Sequence, residues 1–115
     1  MSATVPTIVS NQSALAQTTS KTLSYTPTVA GIYRLSAYAI ITNTVGTSWS
    51  IKFNWQDDSQ AWSWGPNDGP GVTGKTAAPK SVLVRSVANQ PISLVYTVTS
   101  GTPSADLYLV VEDMN

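Results

Sequence analysis

"SWSIKFNWQ", Ser48 to Gln56, alternates without a break: Trp49, Ile51, Phe53 and Trp55 fall on one set of positions, and Ser48, Ser50, Lys52, Asn54 and Gln56 on the other. Successive side chains of a β-strand point to opposite faces. The stretch is therefore a strand with a core on one side and solvent on the other. A helix of the same sequence would scatter its four large apolar residues around the circumference.

The same period of two extends in both directions. "KTLSYTP" (Lys21 to Pro27), "GIYRLSAYAII" (Gly31 to Ile41), "SVLVRSV" (Ser81 to Val87), "PISLVYTVT" (Pro91 to Thr99) and "DLYLVVED" (Asp106 to Asp113) read as strands, separated by the turn signals "TNTVGT", "ANQP" and "SGTPSA". β-Branched residues dominate between repeated Pro and Gly, which leaves no room for long helices. Six or so strands with regular turns predict an all-β fold, an antiparallel β-sandwich of the jelly-roll kind, in a single domain over 18–115. Residues 1–17, "MSATVPTIVSNQSALAQ", read as an N-terminal arm. Its sparse apolar residues, among them Val5, Ile8 and Val9, are expected to order only against a partner.

Two of these strands are apolar on both faces. In "GIYRLSAYAII", Tyr33, Leu35, Ala37, Ala39 and Ile41 line one face, while the other carries Ile32, Arg34, Ser36, Tyr38 and Ile40. In "DLYLVVED", Leu107, Leu109 and Val111 oppose Tyr108 and Val110. A two-sheet sandwich covers only one face of each sheet. A neighbouring subunit is therefore expected on Ile32, Arg34, Tyr38, Ile40, Tyr108 and Val110; the alternative is a cover of Thr-rich loops.

Composition narrows the function. Six Lys/Arg balance six Asp/Glu in 115 residues, and charged residues make up only 10%, against roughly 25% in an average domain. With no basic field, nucleic acid is not an expected partner. A chain this neutral also lacks the self-repulsion that favours monomers. Without cysteine or histidine, thiolate nucleophiles, the commonest general base and most transition-metal sites are absent. No catalytic residue, metal or cofactor is expected. No run approaches the roughly 18 apolar residues of a membrane-spanning helix. The start of the chain lacks the charged-then-apolar pattern of a signal peptide, which predicts synthesis in the cytoplasm and, if the chain leaves it, release by lysis or by a route the sequence does not show.

What remains lies in "KFNWQDDSQAWSWGPNDGPG", Lys52 to Gly71. Asp57 and Asp58 are adjacent and would point to opposite faces of a strand, so they do not make the facing carboxyls of a glycosidase. "QDDSQ" reads as a tight turn whose aspartate bonds the amides ahead, with an oxygen-ligated calcium as the alternative. Gly74, Lys75 and Thr76 match the end of a phosphate loop, but no helix follows them, so the match is read as chance. Trp62 and Trp64 lie two positions apart and project to one side. They can form a stacking platform for a cell-surface glycan, cap the open end of the sandwich, or meet a neighbouring subunit.

The stretch Tyr25 to Thr42, with Thr26, Pro27, Ala30, Gly31, Tyr33, Arg34 and Ser36, then Trp55, Asp57 and Asp58, then Leu107 and Glu112, resembles the small β-rich structural proteins of tailed bacteriophages. The resemblance covers about Tyr25 to Asp113, most of the chain; "GIYRLS" is more distantly similar to the trimeric jelly rolls of the tumour-necrosis-factor type. It implies a virion component: a capsid decoration or head-fibre protein, trimeric and bound to the major capsid protein or another virion protein, or else a receptor-binding tail-fibre tip. The segment Gln60 to Lys80 departs from the family pattern, so no binding residue is carried over to it.

Overall fold

A computed structural model describes residues 6–44, 46–70 and 75–115, without the side chains of 65–70 and 75–79. Eight strands follow one another: β1 (Thr7–Gln17), β2 (Lys21–Tyr25), β3 (Gly31–Thr42), β4 (Ser48–Gln56), β5 (Ala61–Pro70), β6 (Lys75–Ser86), β7 (Ile92–Ser100) and β8 (Ser104–Asp113). They form two four-stranded sheets, ordered β1-β8-β3-β6 and β2-β7-β4-β5, with every pairing antiparallel. Apart from the β4–β5 hairpin, each connection carries the chain from one sheet to the other. That order is an eight-stranded jelly roll.

The sheets meet on the faces that the alternation selects. From β3 come Tyr33, Leu35, Ala39 and Ile41, and from β8 Leu107, Leu109 and Val111. The other sheet contributes Leu23, Trp49, Ile51, Phe53, Ile92, Leu94 and Tyr96. All are buried, and each fully buried aliphatic or Phe side chain stabilises by about 1.5–3 kcal/mol relative to exposure. The Tyr33 hydroxyl donates to the Val29 carbonyl at 2.6 Å, whereas the buried Tyr96 hydroxyl finds no partner among the described residues.

Two strands stand where no strand is expected. Residues 7–17 of the expected arm pair along β8 as the edge strand β1, so this stretch is ordered by its own chain. Val9 and Ala14 pack against the core; Val5 lies outside the described residues. The pairing is irregular, with register shifts between Ile8 and Ser10 and between Ala14 and Gln17. At the second, Ala16 takes a left-handed φ of 56° while its amide donates to Asp106 Oδ1 at 2.8 Å. Bulges of this kind hide the period of two. The other is β5, whose "GPNDGP" resembles a loop. Its prolines are tolerated because β5 is an edge strand that pairs only with β4. Likewise β6, also at an edge, starts at Lys75, six residues before its aliphatic run, and passes through Pro79.

Gly69 to Thr76 carry the full spacing of a phosphate loop. Residues 71–74 lie outside the described part, and Lys75 opens a strand where that motif requires a helix.

Candidate functional site

Two surfaces bear on function. The first is the outer face of β1-β8-β3-β6. Strand register lays Ile8, Glu112, Arg34 and Leu83 in one row across all four strands. Two further rows hold Asn11, Val110, Ser36 and Ser81, then Ser13, Tyr108 and Tyr38. Ile8, Ile32, Tyr38, Leu83 and Tyr108 are exposed, Leu83 at 59%, and Ile40 and Val110 are partly covered. The Tyr38 and Tyr108 rings tilt against each other at 6.4 Å. Ile8 and Leu83, at opposite edges, widen the face beyond β3 and β8.

At its centre Arg34 grips Glu112 with two parallel bonds, Nε to Oε1 and Nη2 to Oε2, each 2.9 Å. The hydrogen bond from Arg34 holds the Glu112 carboxyl below the usual carboxylate range, and the bond to Glu112 raises the Arg34 guanidinium. Bidentate geometry satisfies both charges within the face. At the centre of the face a cover would therefore meet a neutralised pair rather than two separate charges, while Asp106 and Arg85 lie on its outer rows beside Ile40 and Ile32.

The second surface surrounds the β4–β5 hairpin. Asp57 organises the turn: its Oδ1 accepts from the amides of Ser59 and Gln60 and from the Ser59 hydroxyl, at 2.8, 3.0 and 2.9 Å. Those bonds, from the Gln60 and Ser59 amides foremost, hold its carboxyl at about 2, below the ordinary 3.8. Its Oδ2 accepts from the Trp62 indole Nε1 at 2.7 Å. Asp58 pairs instead with Arg85 Nε at 3.1 Å. The two aspartates therefore act separately, and no group of three or more metal-ligating side chains occurs among the described residues.

Trp62 and Trp64 are both 43% exposed, but their surroundings differ. Trp64 lies opposite Phe53 and stacks on it at 6.2 Å with an interplanar angle of 13°. Since Phe53 is fully buried, Trp64 extends the core to the open edge of its sheet. Trp62 lies opposite Trp55 and lines a groove of about 450 Å³. Trp55, Ala61, Trp62, Pro91, Asn54, Gln56, Ser63, Gln90 and Ser93 line it; register sets the Trp55 and Trp62 side chains on the face opposite to those of Asn54, Ser63 and Ser93. Register sets Ser93, Asn54 and Ser63 side by side across three strands. The Asn54 Oδ1 is buried and has no hydrogen-bond partner among the described residues. Sequence reasoning found the tryptophans but placed Asn54 and Gln56 on an ordinary solvent face. Amides flanking Trp55 were the available signal. Gln90 and Ser93 come from a distant stretch with no signal at all.

The class of protein is defined by this architecture: a single eight-stranded jelly roll with one greasy outer face. No protein-family model and no curated protein matches the chain. Solved structures do. The VP2 protein of infectious bursal disease virus, in a subviral particle, aligns with a TM-score of 0.60 and 12% identity over 94% of this chain and 32% of VP2. The T13 particle of that virus gives 0.56 and 12% over 94% and 30%, and its Gx strain 0.55 and 12% over 96% and 32%. This chain spans roughly a third of each of those, and at such identity the likeness is one of fold.

Proposed function

We propose that this chain is a non-enzymatic structural protein of a virus particle: a trimeric capsid decoration or head-fibre protein of a tailed phage, which binds the capsid surface and stabilises it. One observation carries the reading. The outer face of β1-β8-β3-β6 presents Ile8, Ile32, Tyr38, Leu83 and Tyr108 around an internally neutralised Arg34–Glu112 pair. Contiguous apolar surface of this kind marks a contact with another protein. The fold shared with proteins of solved virus particles supports the setting. The motif from Tyr25 to Thr42 supports the phage assignment and the trimer.

In this reading copies of the chain cover one another through Ile32, Arg34, Tyr38, Ile40, Tyr108 and Val110, with Leu83 and Ile8 at the margins. Glu112 stays with its own Arg34. The test is the mass in solution at micromolar concentration. The expected result is three times the chain's 12.2 kDa, falling to one chain in Tyr38→Lys and in Leu83→Lys, both of which keep the melting temperature of the isolated subunit. A wild-type monomer at that concentration would overturn the self-association.

A further inference from the structure

Each sheet has two edge strands, and three of the four edges are guarded. β1 breaks its register twice. β2 is five residues long and opens on Lys21, and its Ser24 carbonyl already accepts from Gln12 Nε2 at 2.6 Å. β6 carries Lys75, Pro79, Lys80 and Arg85. Bulges, short length, charges and prolines are the devices that keep a sheet edge from pairing with other chains. The start of β5 has none of them. Ala61, Trp62, Ser63 and Trp64 are uncharged, free of proline, in unbroken register with β4 and exposed one after another.

The ladder shows which backbone groups are free there. The Asp57 amide donates to the Gln60 carbonyl at 3.0 Å, which makes these two a hydrogen-bonded pair. In an antiparallel ladder such pairs alternate with pairs whose groups point away from each other. Counting from Asp57 and Gln60, Trp62 and Trp64 bond to β4, while Ala61 and Ser63 aim their N–H and C=O off the edge of the sheet. The same count turns the Gln56 carbonyl away from β5, where it accepts from the Val87 amide at 3.0 Å. No backbone bond reaches Ala61 or Ser63 from elsewhere among the described residues. Trp62 and Trp64 share the side of the sheet that Phe53 and Trp55 occupy, yet both stay 43% exposed. Two large rings therefore stand uncovered beside a row of unpaired backbone groups.

Donors and acceptors spaced along a strand, next to apolar side chains, are what an extended peptide matches by adding itself to a sheet. We propose that β5 takes up one extended, uncharged segment of another protein as a fifth, antiparallel strand of its sheet. The backbone of that segment bonds Ala61 and Ser63, and its inward side chains cover Trp62 and Trp64. A charge at those inward positions would be laid against the rings without a partner, so the segment is neutral there. A second copy of this chain is the poorer occupant. Its other edges are guarded, and the proline-free run of its own β5 ends at Gly65. The edge belongs to the sheet opposite the proposed self-contact, so either reading can fail alone.

The test is a titration of the full chain with the heptapeptides acetyl-TXTXTXT-amide, X being Val, Leu, Phe or Trp, followed by amide resonances and hydrogen exchange. At least one peptide is expected to shift the Ala61 and Ser63 amides saturably, protect them from exchange and move the Trp62 and Trp64 ring signals; the peptide with X as Lys is not. Methylating the Thr nitrogens of the binding peptide, which meet the edge in an antiparallel pair, should weaken it about tenfold or more. Ser63→Pro deletes an N–H that its own sheet does not use and should lose the peptide to the same extent at unchanged mass. If that variant fails to fold, the methylated peptide carries the test. Failure of all four peptides to protect Ala61 and Ser63 at millimolar concentration would overturn the proposal, and so would full binding by the methylated peptide. Two other results would replace the occupant and overturn it equally. One is protection of both amides on raising the concentration of the protein alone, which assigns the edge to a second copy. The other is a shift of the two rings by cellotetraose where no peptide shifts them, which makes them a sugar platform.

Discussion

On the outer face of β2-β7-β4-β5 the outward positions carry Thr22, Ser24, Ser50, Lys52 and Thr97, with Val95 as the aliphatic exception; on the outer face of β1-β8-β3-β6 the large apolar residues Ile8, Ile32, Tyr38, Leu83 and Tyr108 stand among Ser13, Ser36, Ser81 and the Arg34–Glu112 pair. The two sheets share one core, have the same number of strands and belong to one chain. They part company only where the core makes no demand. A sandwich needs two inner faces; what stands outside is decided by what lies outside. One sheet is made to be wet, and it carries the groove. In the proposed reading the other is covered by copies of the chain.

The sharpest way to break this comparison is to mutate neighbours on β8 that point in opposite directions. Leu109 is fully buried, and Leu109→Ala should cost about 2–5 kcal/mol in chemical denaturation. Tyr108→Ser, one residue away, should change subunit stability by no more than about 0.5 kcal/mol yet abolish association. Equal losses in the two would show that both faces are structural.

A smaller contrast lies inside the core. Tyr33→Phe removes the bond to the Val29 carbonyl and should cost about 1 kcal/mol. Tyr96→Phe removes a buried hydroxyl without a partner and should be neutral or slightly stabilising. Thermal melts of the pair suffice.

Acid should act at the hairpin. Asp57 is held at about 2 when folded, against an ordinary 3.8. A carboxyl depressed by folding stabilises fully above its unfolded value, and that contribution is lost as pH falls through the folded one. Stability should therefore decline between about pH 4 and pH 2. Asp57→Ala should lower the melting temperature at neutral pH by a few degrees and flatten that acid limb. Least of all, Lys52→Ala on the wet face should move neither stability, by more than about 0.5 kcal/mol, nor mass.

Much of this fold is legible in the sequence, for a physical reason. β3, β4, β7 and β8 are central strands, flanked on both sides, so their inner positions are apolar without exception between Tyr33 and Ile41 or Leu107 and Val111. β1 and β5 lie at edges. There a strand needs partners along one side only, and bulges, prolines and glycines are tolerated. Their pairing is determined by the neighbouring strand, which no local pattern records. The Asp57 turn was readable because its bonds span only three residues. The groove was not, because it joins Asn54 to Gln90 and Ser93 across the sheet, and neutral amides announce nothing in isolation.

The claim that one outer face is built to be covered is tested most directly by hydroxyl-radical footprinting across a concentration series, with Trp64 as the internal reference. Tyr38, Leu83 and Tyr108 should oxidise readily in dilute protein and become protected together as the mass rises, while Trp64 stays constant. Oxidation of those three at one unchanging rate, in protein that never exceeds the mass of a single chain, would contradict the account.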